Sequence, residues 1–310
     1  MSYPLPTAVR PQRFATVGLH RMPCLVAGFF LVCVQQAAVA QKADVQKYAL
    51  QYKLLEGEEI VTQVEHFAET RTKMSDTEES STSRTQSEKV WSVTDVNEKG
   101  EMTFEYRINQ VQLTQSVGSG EAISYDSASD EEVPDVFKPV AATVGKPLAT
   151  VTINARGQVV DRDKELKTPQ LGMGELTIPL PEKAIAIGER WSVPREVRVK
   201  LESGAYKKIK VRELYTLEKV STGVATIRIV TQPLTPVNDP AVESQLIQQL
   251  SKGELKFDID KGRLIAKRLD WSEEVVGFRG PETSLRYDGK FIEKLLPQKR
   301  TASRKSSAKR

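Results

Sequence analysis
Alternation of apolar and polar residues with period two constrains this chain more than any other feature. Tyr48, Leu50, Tyr52 and Leu54 alternate with Ala49, Gln51 and Lys53; Met102, Phe104, Tyr106 and Ile108 alternate with Thr103, Glu105, Arg107 and Asn109; Val197, Val199 and Leu201 alternate with Arg198, Lys200 and Glu202. Successive strand residues point to opposite faces, so such runs predict strands with one buried face and one wet face, and hence antiparallel sheet. Turn signals separate them: Asn97-Glu98-Lys99-Gly100, Ser221-Thr222-Gly223, Asp260-Lys261-Gly262 and Asp288-Gly289. The fold expected is mainly β.

Two stretches leave the pattern. Asp239 reads as an N-cap, Pro240 as the first helical residue, Val242, Leu246, Ile247 and Leu250 as one face, and Gly253 as the stop of a helix over Ala241 to Leu250. Pro134 to Gly145 is a weaker version. The order of elements then repeats. Each half runs from a Gly-Glu turn (Gly57-Glu58, Ile187-Gly188-Glu189) through strands and a glycine turn (Gly100, Gly223) to a short helix and a hairpin at Gly157 or Gly262. The expectation is antiparallel sheet from a duplicated β-unit, each copy with one short crossing helix: residues 41–170 as unit one and 171–296 as unit two, or both as one continuous domain.

The ends differ from the body. Arg10, Arg13 and Arg21 precede an uncharged apolar run from Cys24 to Val34, which leads to Ala38-Val39-Ala40. That is the layout of a secretory signal over residues 1–40, with cleavage expected before Gln41 and a secreted or periplasmic destination. The run is short for a bilayer span, which takes about 20 apolar residues, so no transmembrane helix is expected in the mature chain; an uncleaved anchor is the alternative. Both cysteines, Cys24 and Cys33, fall inside the signal, so the mature chain has no disulfide and no thiolate chemistry. Residues 297–310 read as a disordered basic tail. The formal net charge of +4 belongs to these ends, because the body between them carries more acids than bases. No nucleic-acid-binding face is implied, and a lipid or an anionic envelope polymer is the partner class considered. Ser75 to Ser87, almost wholly Ser, Thr and charge, reads as a disordered, long hairpin tip.

Chemistry is scarce. His66 is the only histidine beyond the signal, and on its strand it shares a face with Ile60 and Val64, which reads as a packed or half-exposed strand histidine. The acidic loop Asp126, Asp130, Glu131, Glu132 and Asp135 has oxygen ligands but neither the spacing nor the glycine of a calcium loop, and Asp258 and Asp260 read as turn residues. Gly118-Ser119-Gly120 and Gly172-Met173-Gly174 are too short to cradle a phosphate, and no nucleophile elbow or Walker sequence occurs. Each tryptophan precedes a serine (Trp91-Ser92, Trp191-Ser192, Trp271-Ser272), which predicts Trp inward and Ser outward. No catalytic residue, metal site or cofactor is expected.

Several stretches carry a resemblance: Tyr52-Lys53-Leu54 leading to Gly57-Glu58, Val90-Trp91-Ser92-Val93-Thr94-Asp95-Val96 with Gly100, Tyr125-Asp126-Ser127, and Gly145-Lys146-Pro147-Leu148 running to Gly157. Over roughly Tyr48 to Phe291 the chain resembles a planctomycete-type family of secreted bacterial proteins known only as a domain of unknown function. The resemblance implies an export signal and a β-rich fold, and brings no catalytic residues. By architecture alone the chain is also similar to the half-barrel lipoprotein carriers of the bacterial envelope, in which a helix lids an apolar groove. That likeness implies a groove lined by Leu246, Ile247, Phe257 and Trp271. The expected function is therefore an exported, non-enzymatic binding or envelope-associated protein, with a periplasmic carrier of a lipid or acylated ligand as one alternative and a carboxylate-dependent hydrolase as the other.

Overall fold
The computed structural model describes residues 45–163, 177–201 and 203–297. The expected signal, the C-terminal tail from Gln298 onward and the Gly172-Met173-Gly174 stretch lie outside the described residues. In chain order the strands are β1 (Lys47–Tyr48), β2 (Glu59–Met74), β3 (Thr77–Val96), β4 (Met102–Val117), β5 (Ile123–Asp126), β6 (Pro147–Ile153), β7 (Val159–Arg162), β8 (Ile185–Ala186), β9 (Arg190–Lys200), β10 (Tyr206–Ser221), β11 (Val224–Pro233), β12 (Lys252–Asp258), β13 (Arg263–Val276) and β14 (Thr283–Leu295). Two short helices interrupt them: α1 (Lys138–Ala141), entered through a 3-10 turn at Asp135–Phe137, and α2 (Pro240–Leu246), left through another at Ile247–Gln249.

The mainly β, antiparallel expectation holds. One twelve-stranded sheet runs β7-β6-β4-β3-β2-β14-β13-β12-β11-β10-β9, with β5 beside β4, and every strand pairing is antiparallel. β14 joins the first strand of one half to the last of the other. On its two sides the halves correspond element by element: β2-β3-β4-β6-β7 on one side and β9-β10-β11-β12-β13 on the other, each with its helix between the third and fourth strands.

Local geometry repeats too. Gly57 N–H donates to the Val93 carbonyl and Val93 N–H to that of Glu58, at 2.9 Å each; Gly188 donates to Leu217 at 2.7 Å and Leu217 to Glu189 at 3.1 Å. The Glu58 carboxylate accepts from Leu55 N–H and that of Glu189 from Ala186 N–H. Gly57, Gly100, Gly157 and their counterparts Gly188, Gly223, Gly262 all hold positive φ, the region where a Cβ is penalised. The turns are therefore set by local chemistry that both halves share.

Three expectations are corrected. The alternating segment 48–54 forms a strand only at β1, which pairs with β8. Leu50, Tyr52 and Leu54 are buried as expected, but the chain lies against two turns rather than in a ladder: Tyr52 N–H bonds the Ala155 carbonyl and Lys53 N–H that of Gly262. Ser75 to Ser87 is not disordered. Beyond a turn at Ser75-Asp76 the segment is the first half of β3, paired with β2 as far as Met74↔Thr77 and with β4 as far as Ser81↔Val117. Threonine suits a pleated surface, and a strand flanked on both sides needs no apolar content of its own to satisfy its backbone. The helix expected over Ala241–Leu250 stays α-helical only to Leu246. Its cap is as read: the Asp239 carboxylate accepts from Ala241 N–H at 2.9 Å, ahead of Pro240 at the first turn.

One face of the sheet carries the core. Ile60, Val64, Trp91, Val93, Phe104, Tyr106, Ile108, Leu217, Ile227, Leu255, Phe257 and Phe291 belong to one cluster, closed by Tyr52 and Leu54 from the leading segment, Ile178 and Leu180 from the segment before β8, and Phe137 and Val140 from the α1 region. α2 packs Val242 and Leu246 on Val199, Ile209 and Val211. It also covers the outer edge of β9, where the Gln245 amide accepts from Lys200 N–H and donates to its carbonyl, both at 2.8 Å. A side-chain amide thus substitutes for a neighbouring strand at an edge that would otherwise be open.

Candidate functional site
The core face contains charge where the alternation leads one to expect hydrocarbon. Lys89 on β3, Lys267 on β13 and Glu293 on β14 are all at least nine-tenths buried. They meet at the junction between the halves, because Thr62 pairs with Lys89, Val64 with Glu293, and Glu293 with Lys267 across adjacent strands. Lys89 Nζ lies 3.0 Å from Glu293 Oε1, which also accepts from the Thr62 hydroxyl at 3.0 Å. Burial pushes the Lys89 ammonium below its ordinary range, and the adjacent Glu293 carboxylate offsets only part of that. Glu293 in turn raises the Tyr52 and Tyr106 hydroxyls, whose larger perturbation is burial itself.

Lys267 behaves differently. It faces Glu293 in register but forms no ion pair with it; its ammonium sits 5.6 Å from the centroid of the Phe291 ring, which Lys89 approaches at 5.9 Å. Cation–π attraction is a real but partial substitute for an oxygen partner. The Ser87 hydroxyl, on the same face one pair from Glu293, is buried without a hydrogen-bond partner.

On the same strands a cleft of about 450 Å³ opens, lined by Glu65, His66, Phe67, Arg84, Gln86, Trp271, Asp288, Gly289, Lys290 and Ile292; Glu65, Phe67, Arg84, Gln86, Lys290 and Ile292 alternate with the cluster's pairs, which puts most of the lining on the opposite face of the sheet. Gly289 shapes it: a Cβ there would come 3.1 Å from both Trp271 Cε3 and Tyr287 Cε1, so the bare backbone is what lets Trp271 lie across β14. The Trp271 ring meets His66 edge-on at 6.3 Å. His66, half-buried on the face of Ile60 and Val64 as read, has its imidazole pushed below the usual value by burial. Arg84 lies over the Phe67 ring. Asp288 is engaged by Arg286 and by the Ser272 hydroxyl, each at 2.7 Å, and the Arg286 contact holds its carboxyl below the ordinary range.

The four residues expected to line a groove do not form one lining. Phe257 is wholly buried in the main cluster, Leu246 belongs to the α2–β9–β10 cluster, and Ile247 packs on Val275 and Tyr287 with Trp271 beside it. α2 sits directly on the sheet, so its apolar residues are spent on packing. Of the four, only Trp271 lines the cleft. The tryptophans divide likewise: Trp91 stacks on Phe104 in the core, Trp191 stacks on Tyr215 and donates to the Pro179 carbonyl, and Trp271 faces the cleft. Asp126 and Asp130 are occupied by backbone N–H groups of their own loop, and Asp258 accepts from Lys261 N–H at its turn. Lys89, Lys267 and Glu293 were missed by reading the sequence for motifs, yet a signal exists. Each stands on the apolar phase of its strand: Lys89 with Trp91 and Val93, Lys267 with Leu269 and Trp271, Glu293 with Phe291 and Leu295.

No protein-family model matches the chain, and no curated protein does. Among solved structures, lipovitellin, from a study of its lipid–protein interactions, is similar to this chain with a TM-score of 0.43 and 10% sequence identity, over 79% of this chain and 26% of that one. The chain therefore spans about a quarter of the length of that protein. A likeness this slight carries no argument about function. No helix among the described residues is long and apolar enough to cross a membrane.

Proposed function
We propose that this is an exported, non-enzymatic binding protein whose ligand, a molecule with an apolar chain, occupies the cleft beside Trp271 and His66. The observation that carries the reading is the cleft itself. Its volume of about 450 Å³ lies within the range of small-molecule sites, and its lining combines apolar Trp271, Phe67 and Ile292 with polar groups (Gln86, Arg84, Lys290) that can orient a ligand. The two carboxylates in the lining favour binding over hydrolysis. Carboxylate catalysis needs an acid held protonated, whereas Asp288 is held ionised by Arg286. Export rests on the charged, apolar and small-residue layout of residues 1–40.

Titration with 1-decanol, followed by tryptophan emission, tests the reading. The wild type is expected to give a saturable shift, and Gly289→Ala, which pushes on the Trp271 ring, to weaken it several-fold. No saturable change in the wild type would overturn the proposal.

A further inference from the structure
Two buried N–H groups beside the seam find no acceptor among the described residues: Trp91 Nε1 and Arg263 Nε. The rest of each side chain is engaged. The Trp91 ring, 8% exposed, stacks on Phe104, and both terminal nitrogens of Arg263 donate to the Glu58 carboxylate, a pair whose side chains are 11% and 12% exposed. A buried donor without an acceptor forfeits its hydration with nothing in return, so folded proteins supply a partner from the chain or from water. Trp191 shows the first solution, since its indole N–H donates to the Pro179 carbonyl at 2.9 Å.

Trp91 and Arg263 line one small cavity of about 20 Å³, together with Thr62, Glu293 and, from the leading segment, Tyr52 and Leu54. The register brings them together. Trp91 pairs with Ile60, two residues before Thr62 on β2, and Thr62 pairs with Leu295, two residues after Glu293 on β14, so Trp91, Thr62 and Glu293 share a face. Glu293 receives both the Lys89 ammonium and the Thr62 hydroxyl on Oε1, which leaves Oε2 to accept from a further donor. The cavity is therefore walled by two N–H groups that need an acceptor and by one carboxylate oxygen that can take a donor. A single water needs roughly 10–15 Å³ and two to four polar partners, whereas an organic ligand needs far more room.

We infer that this cavity is a binding site for one buried water, which accepts from Trp91 Nε1 and Arg263 Nε and donates to Glu293. The water joins the Glu58–Arg263 pair at the first Gly-Glu turn to the Lys89–Glu293 pair at the seam. The site is separate from the cleft and does not depend on what binds there.

A crystal structure of the full chain at a resolution that shows ordered solvent tests the site. One solvent peak is expected at about 2.7–3.2 Å from Trp91 Nε1, Arg263 Nε and a Glu293 oxygen. A cavity without a solvent peak, or either N–H bonded directly to a protein oxygen, would overturn the inference. In solution, the Trp91 indole N–H is expected to give a nuclear Overhauser cross-peak to a long-lived water, and Trp91→Phe, which keeps a ring against Phe104 and drops the donor, should remove that resonance and so assign it. If Trp91→Phe fails to fold, Trp191→Phe and Trp271→Phe assign it by elimination. An assigned Trp91 indole with no cross-peak to water would count against the site as the bare cavity does.

Discussion
The two five-stranded halves on either side of β14 share their scaffold and differ in what they bury. Both start from a Gly-Glu turn with the same three hydrogen bonds, both turn on a positive-φ glycine after the second strand, and both place a helix after the third. Their polar contents diverge. The first half supplies Lys89 and His66, which face the β14 junction; the second supplies Lys267 to that junction and, further out, a separate pair in which the Tyr215 hydroxyl donates to Glu213 at 2.6 Å. What the halves share is what folding requires. Apart from the Tyr215–Glu213 pair, the buried polar groups named here lie at the seam between the halves, on the strands that also line the cleft.

The comparison can be broken at the seam first. Glu293→Gln leaves the buried Lys89 ammonium without its carboxylate, and such a loss typically costs about 3–5 kcal/mol; chemical denaturation should show this as the largest single effect. Lys267→Met in the same experiment is expected to cost much less, since Lys267 makes no ion pair with Glu293 and its methylenes are kept.

The shared turns sharpen the comparison. Gly157 and Gly262 both have positive φ, and a Cβ on Gly157 would come within 2.6 Å of the Tyr52 ring and the Ile178 carbonyl, while one on Gly262 would meet Lys53 N at 2.5 Å. Gly157→Ala and Gly262→Ala should each cost about 2–4 kcal/mol from strain plus overpacking. Gly100→Ala meets nothing within 4 Å and should cost only about 1–2 kcal/mol. A smaller effect is expected at the α2 cap, where Asp239→Ala should lose about 1 kcal/mol.

The smallest is a pH effect. His66 is held below its unfolded value of 6.5 by burial, so the unfolded chain takes up this proton more readily than the folded one. His66 thus lowers stability as pH falls through about 6.5, and the loss continues down to the depressed folded value. Melting curves of wild type and His66→Gln should run parallel at pH 7.5 and diverge by pH 5.5, with the variant losing less.

Much of this architecture is legible in the residues. Period-two runs, glycine turns and the Asp239-Pro240 cap place most strands, the hairpins and the start of α2, because each is fixed by local chemistry. The Ser/Thr-rich half of β3 is not legible, since what orders it is pairing with β2 and β4 on both sides. Segment 48–54 misleads in the opposite sense: its alternation reports burial, and only register with a neighbour would make it a strand. The seam stays hidden because Lys89 is far in the chain from Lys267 and Glu293, which face each other across β13 and β14, and joins them only through the pairing of β2 with β14. Leu246, Ile247 and Phe257 show the reverse limit, apolar residues whose burial is plain but whose partners are not.

Native mass spectrometry of the chain expressed with its own N-terminal segment in a bacterial host, beside Trp271→Ala, tests the central claim most directly. The account predicts a wild-type mass starting at Gln41 with a small noncovalent adduct that Trp271→Ala lacks. A wild type without adduct, or an adduct of equal occupancy in Trp271→Ala, would contradict it.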